Sequence, residues 1–148
     1  MRSSDEDIGS PFLLIPLSNT SNLLELHPGP RHIFKLWQIF VENTNPLIKI
    51  VHVPTLQKRI IDASWNLQDI SKQIEALLFA IYLLAITSLS PSDCQTYFGH
   101  DKAPLLKRYR KGAVQSLMAA DLFSTRDLEV LQAFVLFLVG DSFHNLPG

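Results

Sequence analysis

The longest apolar stretch of the chain runs from Ala76 to Leu89 and contains neither proline nor glycine. Its length favours a helix over a strand. Ser71 precedes it as a candidate N-cap, and Pro91 follows it as a residue that cannot continue a helix. A helix that is apolar on every side has to be buried, and polar residues at both ends leave this one short of the ~17–25 apolar residues of a membrane span. The pattern therefore predicts a central core helix over residues 71–90.

Apolar residues recur at helical spacing in four further segments, namely residues 31–42, about 55–65, 105–121 and 124–140. Pro30 suits the first position of the first of these helices, since its missing N–H is not needed there. The second carries Leu56, Ile60, Ile61 and Trp65, with Lys58, Arg59 and Asp62 facing water. Gly112 weakens the third by about 1 kcal/mol relative to alanine. Ser124 is predicted to begin the last helix and Gly140 to end it.

Short linking segments complete the pattern. Residues 46–54 are bounded by prolines and have no second strand to pair with, so we predict a packed, extended connector. Gly99 and Pro104 frame a predicted loop, and Ser92 or Asp93 is placed to cap one short helical turn before it.

These elements predict an all-α fold, an irregular helical bundle of about five helices around the central apolar helix. Residues 1–28 are expected to form a weakly ordered lead-in, residues 29–140 the helical domain, and residues 141–148 a tail. The last helix is apolar nearly all round, and we expect nothing after it to cover it. The chain is therefore interpreted as an incomplete part of a larger helical domain that exposes an apolar patch.

Charge and cysteine content narrow the class of protein. The 13 Lys and Arg residues nearly balance the 14 Asp and Glu residues, so the chain lacks the basic excess typical of nucleic-acid binding. Cys94 is the single cysteine, which excludes an internal disulfide and a cysteine-rich zinc site. Asp5, Glu6 and Asp7 stand where a secretory signal would carry positive charge.

Few residues suggest catalysis, and we assign no catalytic, cofactor-binding or metal-binding residue. Cys94 and His100 are imaginable as a thiol–imidazole pair, but a cysteine packed as a small apolar residue is favoured. Glu75 is a candidate catalytic carboxylate, yet a partner for the positive end of the central helix is the better interpretation. A small helical enzyme or ligand carrier would need titratable side chains buried together, which the sequence pattern does not supply.

Residues 107–111 form the one notable basic run, Lys-Arg-Tyr-Arg-Lys. Such a run fits DNA phosphates or a nuclear import signal. A solvated helix face beside a buried Tyr109 is favoured instead, because the rest of the domain carries no matching basic surface.

The order of several short segments carries a family resemblance. In chain order they are Leu36-Trp37 with Phe40, Glu42-Asn43, residues 45–55 with Gln57, residues 75–82, Ser88-Leu89, Asp93-Cys94, Phe98-Gly99, residues 105–110, Ala119-Ala120 and residues 125–133. Together they resemble the fungal-specific transcription factor domain, the middle homology region of Zn2Cys6 zinc-cluster regulators. The similarity extends from about His27 to Val139, and it corresponds to the N-terminal half of that region.

The resemblance implies a non-enzymatic regulatory domain of a nuclear transcription factor that acts on RNA polymerase II genes. Family members bind DNA through a six-cysteine, two-zinc cluster. This chain has one cysteine, so it is interpreted as a fragment or truncated copy that lacks the cluster domain, and zinc is expected only in that domain. We expect the chain alone to hold no cofactor and not to bind DNA directly.

The expected partners are other protein domains or the rest of the same regulator, with a homodimer left open and no membrane involved. The alternative function is a stand-alone helical interaction module that competes for the partners of a full-length regulator.

Overall fold

A computed structural model describes residues 22–44, 51–121 and 127–144, and all regular structure in these ranges is helical. A π-helical turn, Phe40–Thr44, continues the second helix, and a 3-10 turn, Leu67–Asp69, follows the third. The all-α expectation is confirmed. The α-helices are α1 (Leu23–Leu26), α2 (Pro30–Ile39), α3 (Val53–Ser64), α4 (Lys72–Thr87), α5 (Pro91–Phe98), α6 (Lys102–Ala119) and α7 (Leu128–His144).

Helix α4 is the centre of the bundle. Every residue from Ala76 to Ile86 is buried, because α6 and α7 pack along it and α2 contacts a further side. The Ser71 hydroxyl accepts a hydrogen bond from the backbone N–H of Ile74 at 3.1 Å, which caps the start of α4. The predicted core helix and its N-cap are both confirmed. None of the helices in the described ranges combines the length and hydropathy that crossing a membrane requires.

Helix α6 approaches α4 closely at Gly112. A Cβ atom placed on Gly112 would overlap ring carbons of Phe79, far inside ordinary contact distance. The sequence pattern treats this glycine only as a weakness of the helix. In the structure it is the position that lets the backbone of α6 lie against the Phe79 ring.

Two short helices add to the five predicted ones in the described ranges. Helix α1 forms within the expected lead-in. Helix α5 is capped by Ser90, whose hydroxyl accepts from the Asp93 N–H at 3.1 Å, so the predicted caps at Ser92 and Asp93 are wrong. Gly99 ends α5 in the left-handed conformation, with φ of 73°.

Two helix boundaries differ from the prediction, namely the start of α6 and the end of α7. Helix α6 begins at Lys102, so Pro104 lies in a first turn where its missing N–H costs nothing. Helix α7 does not end at Gly140 but continues to His144, and the expectation of an unstructured tail is wrong for residues 141–144. Gly140 is buried instead, where an added Cβ would lie 3.3 Å from Leu83 Cγ.

Helix α3 shows two wrong burial predictions. Leu56 and Ile60 are buried and the charged residues face water as expected, but Ile61 is 36 % and Trp65 74 % exposed. Trp65 takes the C-cap position after Ser64, where the chain leaves the helix. Most of the proline-bounded connector and the predicted start of the last helix at Ser124 lie outside the described residues.

Candidate functional site

The outer side of α7 carries four apolar side chains that are 43–67 % exposed. They follow one another at steps of three, four and three residues, the spacing of a single face of a helix that pairs with another helix. We call this set the α7 stripe; it consists of Leu128, Leu131, Val135 and Leu138.

The rest of α7 is fastened to the bundle. Its inner side buries Val130, Ala133, Leu136 and Phe137, mostly against α4. An ion pair holds each end of the helix, Glu129 to Arg59 of α3 and Asp141 Oδ1 to Arg110 Nε of α6 at 2.7 Å. Partly exposed pairs of this kind contribute little stability each. They do fix the rotation of α7, which directs the stripe away from the bundle.

Exposed apolar stripes of this kind on helices are typical of surfaces that pack against another protein element. No charged side chain belongs to the stripe, so a second apolar helix face meets no desolvation penalty from ions there. The expected exposed apolar patch on the last helix is therefore present in the described part of the chain.

A buried histidine network lies on the other side of α4. His27 Nδ1 is 2.9 Å from Tyr82 Oη, and His27 Nε2 is 2.9 Å from Glu75 Oε2. Burial, with Tyr109 and Glu75 nearby, raises the pKa of Tyr82 well above its ordinary value, so the phenol keeps its proton. We assign Tyr82 O–H as donor to Nδ1 and Nε2–H as donor to the Glu75 carboxylate.

Arg108 locks the same region from α6. Its guanidinium donates to the backbone carbonyls of Glu25, Leu26 and His27 at 2.9, 2.9 and 3.2 Å. These bonds satisfy carbonyls at the end of α1 and hold His27 in place. Burial raises the pKa of the neighbouring Tyr109 to about 12, with Arg108 acting in the opposite direction.

The sequence pattern misses His27 as a member of this network. Its partners lie 48 and 55 residues further along the chain, and no local spacing signals them. The available signal was Glu75 itself, a carboxylate in an otherwise apolar helix that requires a partner. Glu75 does lie in the first turn of α4, as the helix-dipole interpretation expects.

Titratable groups are thus buried together, which is the arrangement that an enzyme or ligand carrier would need. The side chain of His27 has no exposed surface, however, and Tyr82 is fully buried too. Both ring nitrogens of His27 are engaged by Tyr82 Oη and Glu75 Oε2, as in a structural network. Within the described residues no three His, Cys, Asp or Glu side chains are grouped to hold a metal ion.

The other two sequence candidates, Cys94 and His100, lie in different environments. Cys94 is fully buried and His100 is exposed. Burial raises the pKa of the Cys94 thiol, with a smaller opposing effect of Lys102, so the thiol is protonated and a poor nucleophile at neutral pH.

The basic run on α6 does not form one surface. Lys107 and Lys111 are exposed, but Arg108 binds carbonyls at the end of α1 and Arg110 pairs with Asp141. Tyr109 between them is buried, as predicted.

The described residues form an all-α domain with a buried polar network on one side of α4 and an exposed apolar helix face on α7. The family of that domain follows from sequence comparison, since the model of the fungal specific transcription factor domain matches residues 37–141. The chain belongs to this family, and the predicted resemblance is confirmed.

Individual relatives are transcription regulators of fungi. The transcriptional regulator AacuB of Aspergillus aculeatus is 43 % identical over 120 residues, which cover 81 % of this chain and 16 % of that protein. The pyriculol/pyriculariol biosynthesis cluster transcription factor 1 of Pyricularia oryzae is 45 % identical over 118 residues, 80 % of this chain and 16 % of that protein. The aurofusarin cluster transcription factor aurR2 of Gibberella zeae is 42 % identical over 113 residues, 76 % and 17 % of the two chains.

The chain therefore spans about a sixth of the length of these relatives. No solved structure matches it. With Cys94 as its single cysteine, the chain does not itself contain the six-cysteine cluster of zinc-cluster regulators.

Proposed function

We propose that the chain is a non-enzymatic regulatory module of a transcription factor that acts in the nucleus on RNA polymerase II genes. The observation that carries the proposal is the α7 stripe on a domain of this family. The stripe is the surface through which the module meets its partner, a helical segment of the same regulator. A helix face that exposes four apolar residues while its other side is anchored suits such a contact.

The relatives support a class of target genes. Two proteins that are 42–45 % identical to most of this chain are named for a biosynthesis cluster or an aurofusarin cluster. We infer that this chain takes part in regulating a gene cluster for a biosynthetic pathway in a fungus.

The buried groups support a role without catalysis. The imidazole of His27 and the phenol of Tyr82 are buried and bonded to each other, with Glu75 partly exposed beside them, and the Cys94 thiol is protonated and buried. Two further observations support a role without direct DNA contact by this chain. Its single cysteine cannot form a six-cysteine zinc cluster, and Arg108 and Arg110 of the basic run on α6 are engaged in internal contacts.

The test alters the stripe inside the complete gene. Leu131→Ser with Leu138→Ser removes the apolar face without touching the buried side of α7, and Lys107→Ser with Lys111→Ser serves as a matched pair of exposed substitutions on α6. Transcripts of the neighbouring cluster genes, abundance of the protein and its nuclear fluorescence are measured in the fungal host. We expect the stripe variant to change transcript levels several-fold at unchanged abundance and location, and the α6 variant to leave them unchanged.

Normal transcripts in the stripe variant would refute the role of the stripe, and normal transcripts after deletion of the gene would refute transcriptional regulation itself. Overexpression of this chain beside an intact regulator tests the competing-module alternative. The alternative would be favoured if overexpression lowered these transcripts and if the stripe substitutions, made in the overexpressed chain, removed that effect.

A further inference from the structure

A groove with a cavity volume of about 270 Å³ lies between the start of α2 and the end of α3. Phe34, Ile61 and Trp65 form its walls, and all three are exposed large apolar residues. We call it the Trp65 groove. A second groove of about 290 Å³ adjoins it across Trp65 and is lined by Leu24. Trp65 therefore lines both grooves.

One cation stands at this groove without a partner. Among the arginines of the described ranges, Arg59, Arg108 and Arg110 hold carboxylates or backbone carbonyls. The side chain of Arg31 has neither an ion pair nor a hydrogen bond with any described residue, and it lines the Trp65 groove. Among the described residues, no aspartate or glutamate lines the groove with it.

Two further polar features agree with a preference for negative charge. Arg31 lies in the first turn of α2, at the positive end of that helix, and the N-cap residue Gly29 supplies no side-chain cap. The hydroxyl of Ser64, which also lines the groove, already donates to the Ile61 carbonyl at 2.7 Å. The polar contact that remains open to a ligand is therefore one between an anionic group of the ligand and the Arg31 guanidinium.

We propose that the Trp65 groove binds a small, flat aromatic carboxylate of one or two rings. The ring lies between Phe34 and Trp65, and the carboxylate accepts hydrogen bonds from the Arg31 guanidinium. The volume is near the lower end of small-molecule sites, which limits the occupant to that size. Planar ligands stack on aromatic walls, and arginine binds carboxylates through two parallel hydrogen bonds. The site lies apart from the α7 stripe, and the proposal does not depend on the function assigned to the stripe.

The chain contains a built-in reference for the measurement. Trp65 is exposed in the groove, whereas Trp37 is buried and its indole N–H donates to Gln57 at 2.9 Å. In a ¹H–¹⁵N spectrum of the full 148-residue chain, titration with 2-naphthoate is expected to move the indole signal of Trp65 saturably and to leave that of Trp37 in place. An unmoved or linearly drifting Trp65 signal would overturn the proposal.

Variants separate charge recognition from apolar contact. Arg31→Gln is expected to weaken 2-naphthoate about tenfold while the neutral 2-naphthamide binds as before. Lys58→Gln is the control, since Lys58 is an exposed cation of α3 outside the groove lining. Trp65→Ala should weaken both ligands. All three positions are exposed, so circular dichroism should show an unchanged fold.

Two results would reject the site. One is equal affinity of 2-naphthoate and 2-naphthamide for the unmodified chain, which would show apolar adsorption without carboxylate recognition. The other is loss of binding in the Leu131→Ser and Leu138→Ser variant with retention in Trp65→Ala, which would place the ligand on the α7 stripe.

Discussion

Helices α4 and α7 are similar in composition and opposite in environment. Both are apolar through most of their length, with acidic residues near their starts. Helix α4 is buried on all sides from Ala76 to Ile86, whereas α7 exposes Leu128, Leu131, Val135 and Leu138. The hydropathy of a helix shows how much covering it requires. Its neighbours in the bundle decide whether that covering is present.

Topology accounts for the difference. Helix α4 lies between α6 and α7 and contacts α2 as well, so neighbours surround it. Helix α7 packs mainly on α4 and less on α6, which leaves one side without a neighbour in the described part of the chain. The comparison is therefore between a helix whose apolar residues stabilise the fold and one whose outer residues are available for contact.

The largest expected effect comes from a matched pair of truncations. Leu78→Ala in α4 deletes a fully buried side chain and is expected to lower the free energy of unfolding by about 2–5 kcal/mol. Leu138→Ala in α7 removes a side chain that is already 46 % exposed, and its effect should stay within about 0.5 kcal/mol. Urea denaturation measures both. Equal losses would contradict the comparison and mean that the stripe is covered in solution, which sedimentation would show as self-association.

Gly112→Ala tests the close contact of α6 with α4. The new methyl group would meet the Phe79 ring, and overpacking of this kind costs about 1–3 kcal/mol. The loss is expected even though alanine favours helix by about 1 kcal/mol. Lys111→Ala, at the exposed neighbouring position, should be nearly neutral. A thermal unfolding curve for Gly112→Ala that matches the parent would argue against the close approach.

Alkaline pH should weaken the α4–α6 side of the bundle. The pKa of Tyr109 is about 12 in the folded chain against 10 for a free tyrosine. Because the folded-state pKa is the higher one, the stability linked to Tyr109 is complete below pH 10 and is lost as pH rises towards 12. The loss from this residue is about 2–3 kcal/mol. Tyr109→Phe should flatten the pH dependence of unfolding between pH 10 and 12; an unchanged slope would exclude Tyr109 as its source.

The smallest effect on the free energy of unfolding is expected from the surface ion pair that joins α7 to α3. Arg59→Ala breaks the ion pair with Glu129, and an exposed pair of this kind contributes less than about 1 kcal/mol. Hydrogen exchange should nevertheless speed up in the first turns of α7 and stay unchanged in α4. Faster exchange in both helices alike would show that the pair supports the whole bundle instead.

Local patterns predicted the helices well because their signals are local. The Ser71 cap, Pro30 at the first position of α2, and the apolar run of α4 all act within a few residues. Gly140 misled the boundary prediction because a glycine that ends a helix and one that permits close packing look the same in sequence. Trp65 was placed on a packed face by spacing alone, although α3 stops one residue before it.

The candidate sites were predictable to different degrees. The α7 stripe follows from an apolar helix without an apparent cover, so sequence reasoning reached it. The bonds of His27 join positions far apart in the chain, and the Trp65 groove depends on which residues α2 and α3 leave uncovered. Both features depend on how the helices pack in three dimensions, so local sequence patterns do not predict them.

The Arg108 and His27 contacts also determine where the folding unit begins. The family match starts at residue 37, inside α2, and a recombinant fragment cut there would lose α1, His27 and most of α2. Tyr82 and Glu75 would then face an open hole, and Arg108 would have no carbonyls to bind. Protein prepared for crystallisation or screening should therefore start at or before Asn22, about one and a half helices upstream of the boundary that sequence similarity suggests.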